Sequence, residues 1–461
     1  MQKLIKHSKL QTGIMMVALI FIIAIFSTSY LLRTFTPAVI KIERDKKTNQ
    51  SLSVAKQALL AFSAEKITDI PKITPNTSMT CGLNCRRPGD LPCPDKNNDG
   101  EAETTCNTQV ARLGRLPWKT LGVGDLRDGS GERLWYAVSN KYKNNTRILP
   151  LNSDSLGSIS LKNNVGSVLY DATANTGLAA VVIASKNLLT RADGIVQNRS
   201  PSQELIASNY LDTAFGEDNA NFVDESMNGF ISGEIQANGQ KISNDIALPI
   251  SRIEMNAAME TRVLAEVMQA VLYRFCVNGP NFKTRTCTGS ITNDFLPDPA
   301  AVNDLSCLGA ANIANTACLS NASISFGRVA VGGNTDMTKS GGGWEKQDAN
   351  SILRGEIQHN WFQQNGWREL IFYGVAPACT EVNKGCAGTG LLTLSGTTSP
   401  NNKQAILIAS NQALTLQSRA SFTNSALIVN YLEDENTTPL DNVYSKYFHD
   451  TTRNDRVISI P

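Results

Sequence analysis

Oxygen-bearing side chains alternate along one short segment of this 461-residue chain: Asp95, Asn97, Asp99, Glu101 and Glu103, with Gly100 after the third. They lie in the run Leu-Pro-Cys-Pro-Asp-Lys-Asn-Asn-Asp-Gly-Glu-Ala-Glu that starts at Leu91. Calcium is a hard cation and takes several oxygens from one tightly turned segment, so this spacing makes the loop a candidate calcium site. The position where such loops supply a late bidentate carboxylate holds Cys106 instead. An Asn/Asp/Gly hairpin turn accounts for the same residues without a metal. The expected cofactor is therefore none, with calcium as the one candidate.

Ten cysteines form the second chemical feature: Cys81, Cys85, Cys93, Cys106, Cys276, Cys287, Cys307, Cys318, Cys379 and Cys386. Several sit close together in Gly/Pro/Asn-rich loops. An even number in such loops suits disulfides formed in an oxidising compartment. Nearest-neighbour pairing gives Cys93–Cys106, Cys81–Cys85, Cys379–Cys386, Cys276–Cys287 and Cys307–Cys318.

Catalytic signals are sparse. Only three histidines exist, His7, His359 and His449. The chain carries no HExxH helix, no GxSxG elbow, no phosphate loop and no dinucleotide fingerprint. Ser53-Val-Ala-Lys56 and Ser63-Ala-Glu-Lys66 match the SxxK pattern of penicillin-binding enzymes, but both lie on a helix where a solvated polar face explains them. The expectation is a protein that is not an enzyme.

Ile14–Leu32 must anchor these features. It is apolar apart from Ser27, Thr28, Ser29 and a tyrosine hydroxyl, and no charge falls between Lys9 and Arg33. As a helix it measures roughly 28 Å, about the thickness of a bilayer core. The reading is a transmembrane helix, single-pass in an inner membrane, with Lys3, Lys6, His7 and Lys9 in a cytoplasmic leader. The rest of the chain is then periplasmic or on the cell surface. A cleaved signal peptide is the alternative. Net charge is +2, so nothing points to nucleic acid.

Beyond the span, residues 33–66 read as a stalk helix, amphipathic from Leu52 onward. Residues 67–250 form a loop-rich β-domain with strands at Gly131–Ser139 and Leu178–Ser185. A helix at 251–277 opens a second unit, 251–461. The two halves repeat in order. Gln57-Ala-Leu-Leu60 returns as Gln269-Ala-Val-Leu272, and Leu91-Pro92 as Leu296-Pro297. Trp135-Tyr-Ala-Val138 returns as Phe372-Tyr-Gly-Val375. Ala180–Ser185 returns as Ala405–Ser410, Asn209-Tyr-Leu-Asp212 as Asn430-Tyr-Leu-Glu433, and Asn244-Asp245 as Asn454-Asp455. The expected fold class is α+β: a transmembrane helix running into a stalk, then two tandem units, each a helix plus a small antiparallel sheet.

These residues resemble a known family. The basic leader of residues 1–13, Gly13 at the edge of an apolar helix, and an amphipathic half-helix leading to a β-domain are similar to type IV pilins and type II secretion pseudopilins. The runs LPCPDKNNDGEAE, GRLPWKTLG and GERLWYAVS resemble a subgroup of large pilin-like proteins with a Pro-Cys-Pro-Asp loop. The resemblance implies leader processing between Gly13 and Ile14. It also implies tandem pilin-like units, a non-catalytic minor subunit of a pilus or secretion filament, and other pilin-like subunits as partners alongside the inner membrane. The family's glutamate at the fifth residue of the processed helix is replaced by Ala18, which points to a tip or accessory role. The alternative is a membrane-tethered periplasmic binding or structural protein that never enters a filament.

Overall fold

Two four-stranded antiparallel sheets carry the chain, each with its strands in chain order. The computed structural model describes residues 4–34, 37–65, 87–144, 149–222 and 229–274 without a break. It also describes stretches of 280–460 that exclude 331–361, 420–426 and shorter segments. The first sheet is β1 (Leu113–Arg115), β2 (Trp135–Val138), β3 (Ala180–Ala184) and β4 (Ile246–Ile250). The second is β5 (Phe326–Arg328), β6 (Ile371–Val375), β7 (Ala405–Ala409) and β8 (Arg456–Ile460). Three long helices accompany them: α1 (Leu4–Thr34), α2 (Pro37–Ala64) and α3 (Arg252–Arg274).

The central strands explain their own sequences. Ala180-Val-Val-Ile-Ala184 is buried at every position because both faces of the sheet are covered. Ala180, Val182 and Ala184 join the core that holds Leu52, Ala55 and Leu59 of α2 and Met255, Met259 and Val263 of α3. Val181 and Ile183 turn the other way, onto Tyr210, Leu211 and Phe230. A strand covered on both faces loses the polar–apolar alternation and becomes a continuous apolar run. Burying each of Leu52 and Leu59 stabilises by roughly 1.5–3 kcal/mol.

Register repeats between the sheets. Arg115 stands opposite Trp135, and Arg328 stands opposite Phe372. In each unit a Leu-Pro-X-Pro segment is hydrogen-bonded to the first strand. Asp95 and Arg115 exchange N–H···O bonds of 2.9 and 2.7 Å, and Ala300 and Arg328 exchange bonds of 2.9 and 2.8 Å. The approach is close enough that the neighbouring strand residue must be glycine. A Cβ on Gly114 would meet the Asp95 carbonyl at 2.6 Å, and one on Gly327 would collide with the Ala300 carbonyl.

Helix α3 starts with a capping box. The Glu254 carboxylate accepts from the Ser251 N–H at 3.0 Å and from the Ser251 hydroxyl at 2.8 Å. Lys56 of α2 pairs with Glu254 at 2.6 Å and donates to the Pro249 carbonyl at 2.9 Å, which ties the two helices together.

The expected membrane helix is corrected. No helix among the described residues is long and apolar enough to cross a membrane. Helix α1 runs Leu4–Thr34, and its residues Met15–Tyr30 are all exposed. The same helix includes Lys6 and Lys9 before that run and Arg33 after it. The transmembrane-helix-and-stalk fold class and the single-pass inner-membrane placement fall with it. Nor is the second helix a stalk over its length: from Thr48 onward α2 packs its Leu52, Ala55, Leu59 and Phe62 into the body.

Candidate functional site

The acidic loop closes on itself. Asp95 is buried, and its two oxygens accept from Asn98 N–H at 2.6 Å and Gly100 N–H at 2.7 Å. Burial raises its pKa, and those backbone donors oppose the rise. Asp99 accepts from Glu101 N–H at 2.7 Å and from the Asn97 amide at 2.9 Å. Glu101 accepts from the Thr120 hydroxyl at 3.0 Å, and Glu103 from Lys96 N–H at 3.1 Å. The five residues predicted as calcium ligands do share one loop. Their oxygens accept from the loop's N–H groups, the Asn97 amide and the Thr120 hydroxyl, and no group of three or more His, Cys, Asp or Glu among the described residues could hold a metal. The arrangement is that of a hydrogen-bonded turn, stapled by the Cys93–Cys106 disulfide.

Cys307–Cys318 and Cys379–Cys386 are also bonded. Cys81, Cys85 and Cys276 lie outside the described residues, as do the Cys287 side chain, His359, His449 and Lys66. The side chains of Ile14 and His7 are outside them too. Of the two SxxK patterns, the first has Lys56 held by Glu254, and in the second the Ser63 hydroxyl donates to the Leu60 carbonyl at 2.7 Å.

Two buried carboxyl pairs went unassigned in the sequence. In the first unit, Asp212 accepts from the Gln197 amide at 2.8 Å, Asn244 N–H at 2.7 Å and Asp245 N–H at 3.1 Å. Asp245 Oδ2 accepts from Asp212 N–H at 2.7 Å and the Asn219 amide at 2.8 Å. The second unit repeats this atom for atom. Glu433 accepts from the Gln417 amide at 2.9 Å and from Asn454 and Asp455 N–H at 3.0 Å each. Asp455 Oδ2 accepts from Glu433 N–H and the Asn436 amide, both at 3.1 Å. Asn219 and Asn436 each also bond both ways with the backbone of a neighbouring strand residue, Ile231 and Ser445. The sequence did carry a signal, since Asn-Tyr-Leu-Asp/Glu and Asn-Asp are among the repeated words.

Arginines brace the same regions. The Arg115 guanidinium lies 4.0 Å from the Trp135 ring centre and 4.1 Å from that of Tyr210. Burial lowers its pKa to about 10. Arg328 sits over Phe372 and Tyr431 at 4.8 and 4.9 Å.

A polar seam joins the two units. Glu260 of α3 accepts from the Ser153 hydroxyl at 2.7 Å and from Arg456 Nε at 3.2 Å. Burial raises its pKa to about 7, with Ser153 and Arg456 opposing. Asn365 accepts from Arg87 and from Leu151 N–H, both at 2.9 Å. These bonds tie elements of the two units together.

Helix α1 instead presents an apolar surface to solvent. Every side chain described on it, Met15 to Tyr30, is exposed, with Met15 at 75% and Phe26 at 72%. Its Thr28 hydroxyl bonds back to the Ala24 carbonyl at 2.8 Å, so it adds little polarity. Apolar exposure continues on α2 at Val39, Ile40, Ile42 and Val54. A groove of about 690 Å³ runs beside α2, lined by Val54, Ala58, Phe62, Leu121 and Val123 among others.

No protein-family model, no curated protein and no solved structure matches the chain.

Proposed function

We propose that this protein is a non-catalytic, pilin-like or pseudopilin-like minor subunit of a type IV pilus or type II secretion filament, and that it joins other pilin-like subunits through α1. The observation that carries the reading is the exposed apolar face of α1 from Met15 to Tyr30. Apolar surface left in water costs about 25 cal/mol per Å². An exposed patch of this kind marks a surface that another body covers. Helices of like subunits fit it, because the run mixes bulky Met, Ile and Phe with small Ala18, Ala24 and Ser27 and carries no charge to bury. The polar clusters elsewhere in the molecule support a non-catalytic role, since their carboxylates already accept from fixed N–H and O–H donors.

The test replaces Ile14–Leu32 with an unrelated apolar helix of equal length and keeps residues 33–461. Sheared filaments from cells carrying this version should lack the protein, while its disulfides still form. Incorporation at the wild-type level would refute the reading. Ala18→Glu is the companion change. It should alter incorporation and leave the melting temperature of the body unchanged.

A further inference from the structure

Asp245 and Asp455 each present one oxygen, Oδ1, that receives no hydrogen bond from a nitrogen or hydroxyl donor among the described residues. Both side chains are fully buried. Their Oδ2 atoms each take two N–H donors, and the facing acids, Asp212 and Glu433, take three apiece. An ionised oxygen buried without a donor is strongly disfavoured. A neutral carboxyl is not, because its hydroxyl occupies that oxygen and donates. The facing acid is an acceptor with which each aspartate is in hydrogen-bonding contact.

We infer that each unit is latched by a carboxylic acid–carboxylate pair that shares one proton, Asp245 donating to Asp212 and Asp455 donating to Glu433, and that the latches loosen when rising pH removes the proton. Each latch ties a loop, at Asp212 or Glu433, to the residue that leads into the last strand of its sheet, β4 or β8. That the same donors and the same bare oxygen occur in both units, although one acid is Asp and the other Glu, argues for a shared design over a local accident.

The surroundings leave the proton as the balancing charge. Gln197, Asn219 and Asn244 face the first pair, and Gln417, Asn436 and Asn454 the second. Of the nearby cations, Arg191 is held by Asp193 and Asp218, each at 2.9 Å. Arg199 points to Glu132 at 3.6 Å, and Arg419 to Asp154 at 3.0 Å. Arg453 pairs with Asp450 at 3.0 Å and stands 4.0 Å from Asp434. Burial first, and the facing carboxylate second, hold Asp245 and Asp455 well above the ordinary aspartate range. Burial raises Asp212 as well. A group whose folded pKa is raised contributes its full stability below the unfolded value and loses it as pH climbs through the folded value.

The test uses the full chain and the variants Asp245→Asn, Asp455→Asn and both together. An asparagine amide donates where the acid hydroxyl does, and its oxygen keeps the two accepted bonds. The double variant should fold with its disulfides intact. From about pH 5 to about pH 9, the wild-type melting temperature should fall relative to the double variant by a few degrees or more. Infrared spectra of the wild type at neutral pH should show a protonated-carboxyl band, beyond that of Glu260, that the double variant lacks. Parallel melting profiles, or the absence of that band, would overturn the latch. So would unfolded asparagine variants, because the amide reproduces the donor the latch requires.

Discussion

Arg419 holds Asp154 across the boundary between the two units, with both carboxylate oxygens 3.0 Å from its Nη1. The counterpart arginine in the first unit, Arg199, makes matching bonds to local backbone carbonyls but has only Glu132 at 3.6 Å as an acid partner. One copy of a repeated brace has thus become a strap between copies. Asp154 is partly exposed, so its pair with Arg419 is partly screened and worth about 1 kcal/mol at most. Asp154→Ala should lower stability by that amount, with the loss shrinking in high salt. Urea unfolding at two salt concentrations checks it; an equal loss at both would mean the charge is not the cause.

Glu260 is the deeper fastening of the same seam. Glu260→Ala leaves buried Ser153 without its acceptor and Arg456 without its acid, and should cost roughly 3 kcal/mol in urea unfolding. A loss under about 0.5 kcal/mol would show that the seam does not join the units. Its raised pKa, about 7 against an ordinary 4.5, also sets a sign. The stability it contributes is complete below pH 4.5 and is lost as pH rises through about 7. Glu260→Gln should flatten that part of the wild-type pH profile.

Asp95 should matter to the fold and not to a metal. Asp95→Ala strips two backbone N–H groups of their acceptor, and a drop of about 1–3 kcal/mol is expected. Added calcium at roughly millimolar concentration should leave the wild-type melting temperature where it was. A calcium-dependent rise that Asp95→Ala abolishes would restore the calcium reading.

The Cys93–Cys106 disulfide closes a loop with a sequence separation of 13 around that turn. Replacing both cysteines with alanine should destabilise by roughly 3 kcal/mol in the chain-entropy model. Thermal unfolding of the variant measures it, and an unchanged midpoint would place the loop's order in the hydrogen bonds alone.

What the sequence made legible was what depends on local pattern. The apolar runs at Ala180–Ala184 and Ala405–Ala409 are strands, and the helix expected at 251–277 stands at Arg252–Arg274 because its apolar residues recur at helical spacing. The Cys93, Cys307 and Cys379 pairings followed from short separations. Two kinds of error have physical causes. Hydropathy makes Ile14–Leu32 a membrane span, but it measures aversion to water and does not distinguish a lipid partner from a protein one. The carboxyl pairs escaped because Asp212 and Asp245 are joined only by tertiary packing. Their spacing has no period to detect, and no rule of local propensity places two acids together without a cation.

The most direct measurement is site-specific photo-crosslinking from α1 in cells. A photoreactive residue at Ile22 or Phe26 should capture other pilin-like subunits through their own N-terminal helices. The same residue at Phe62, buried against the body, should capture none. Equal capture from both positions, or products from α1 that contain no pilin-like subunit, would contradict assembly through this helix.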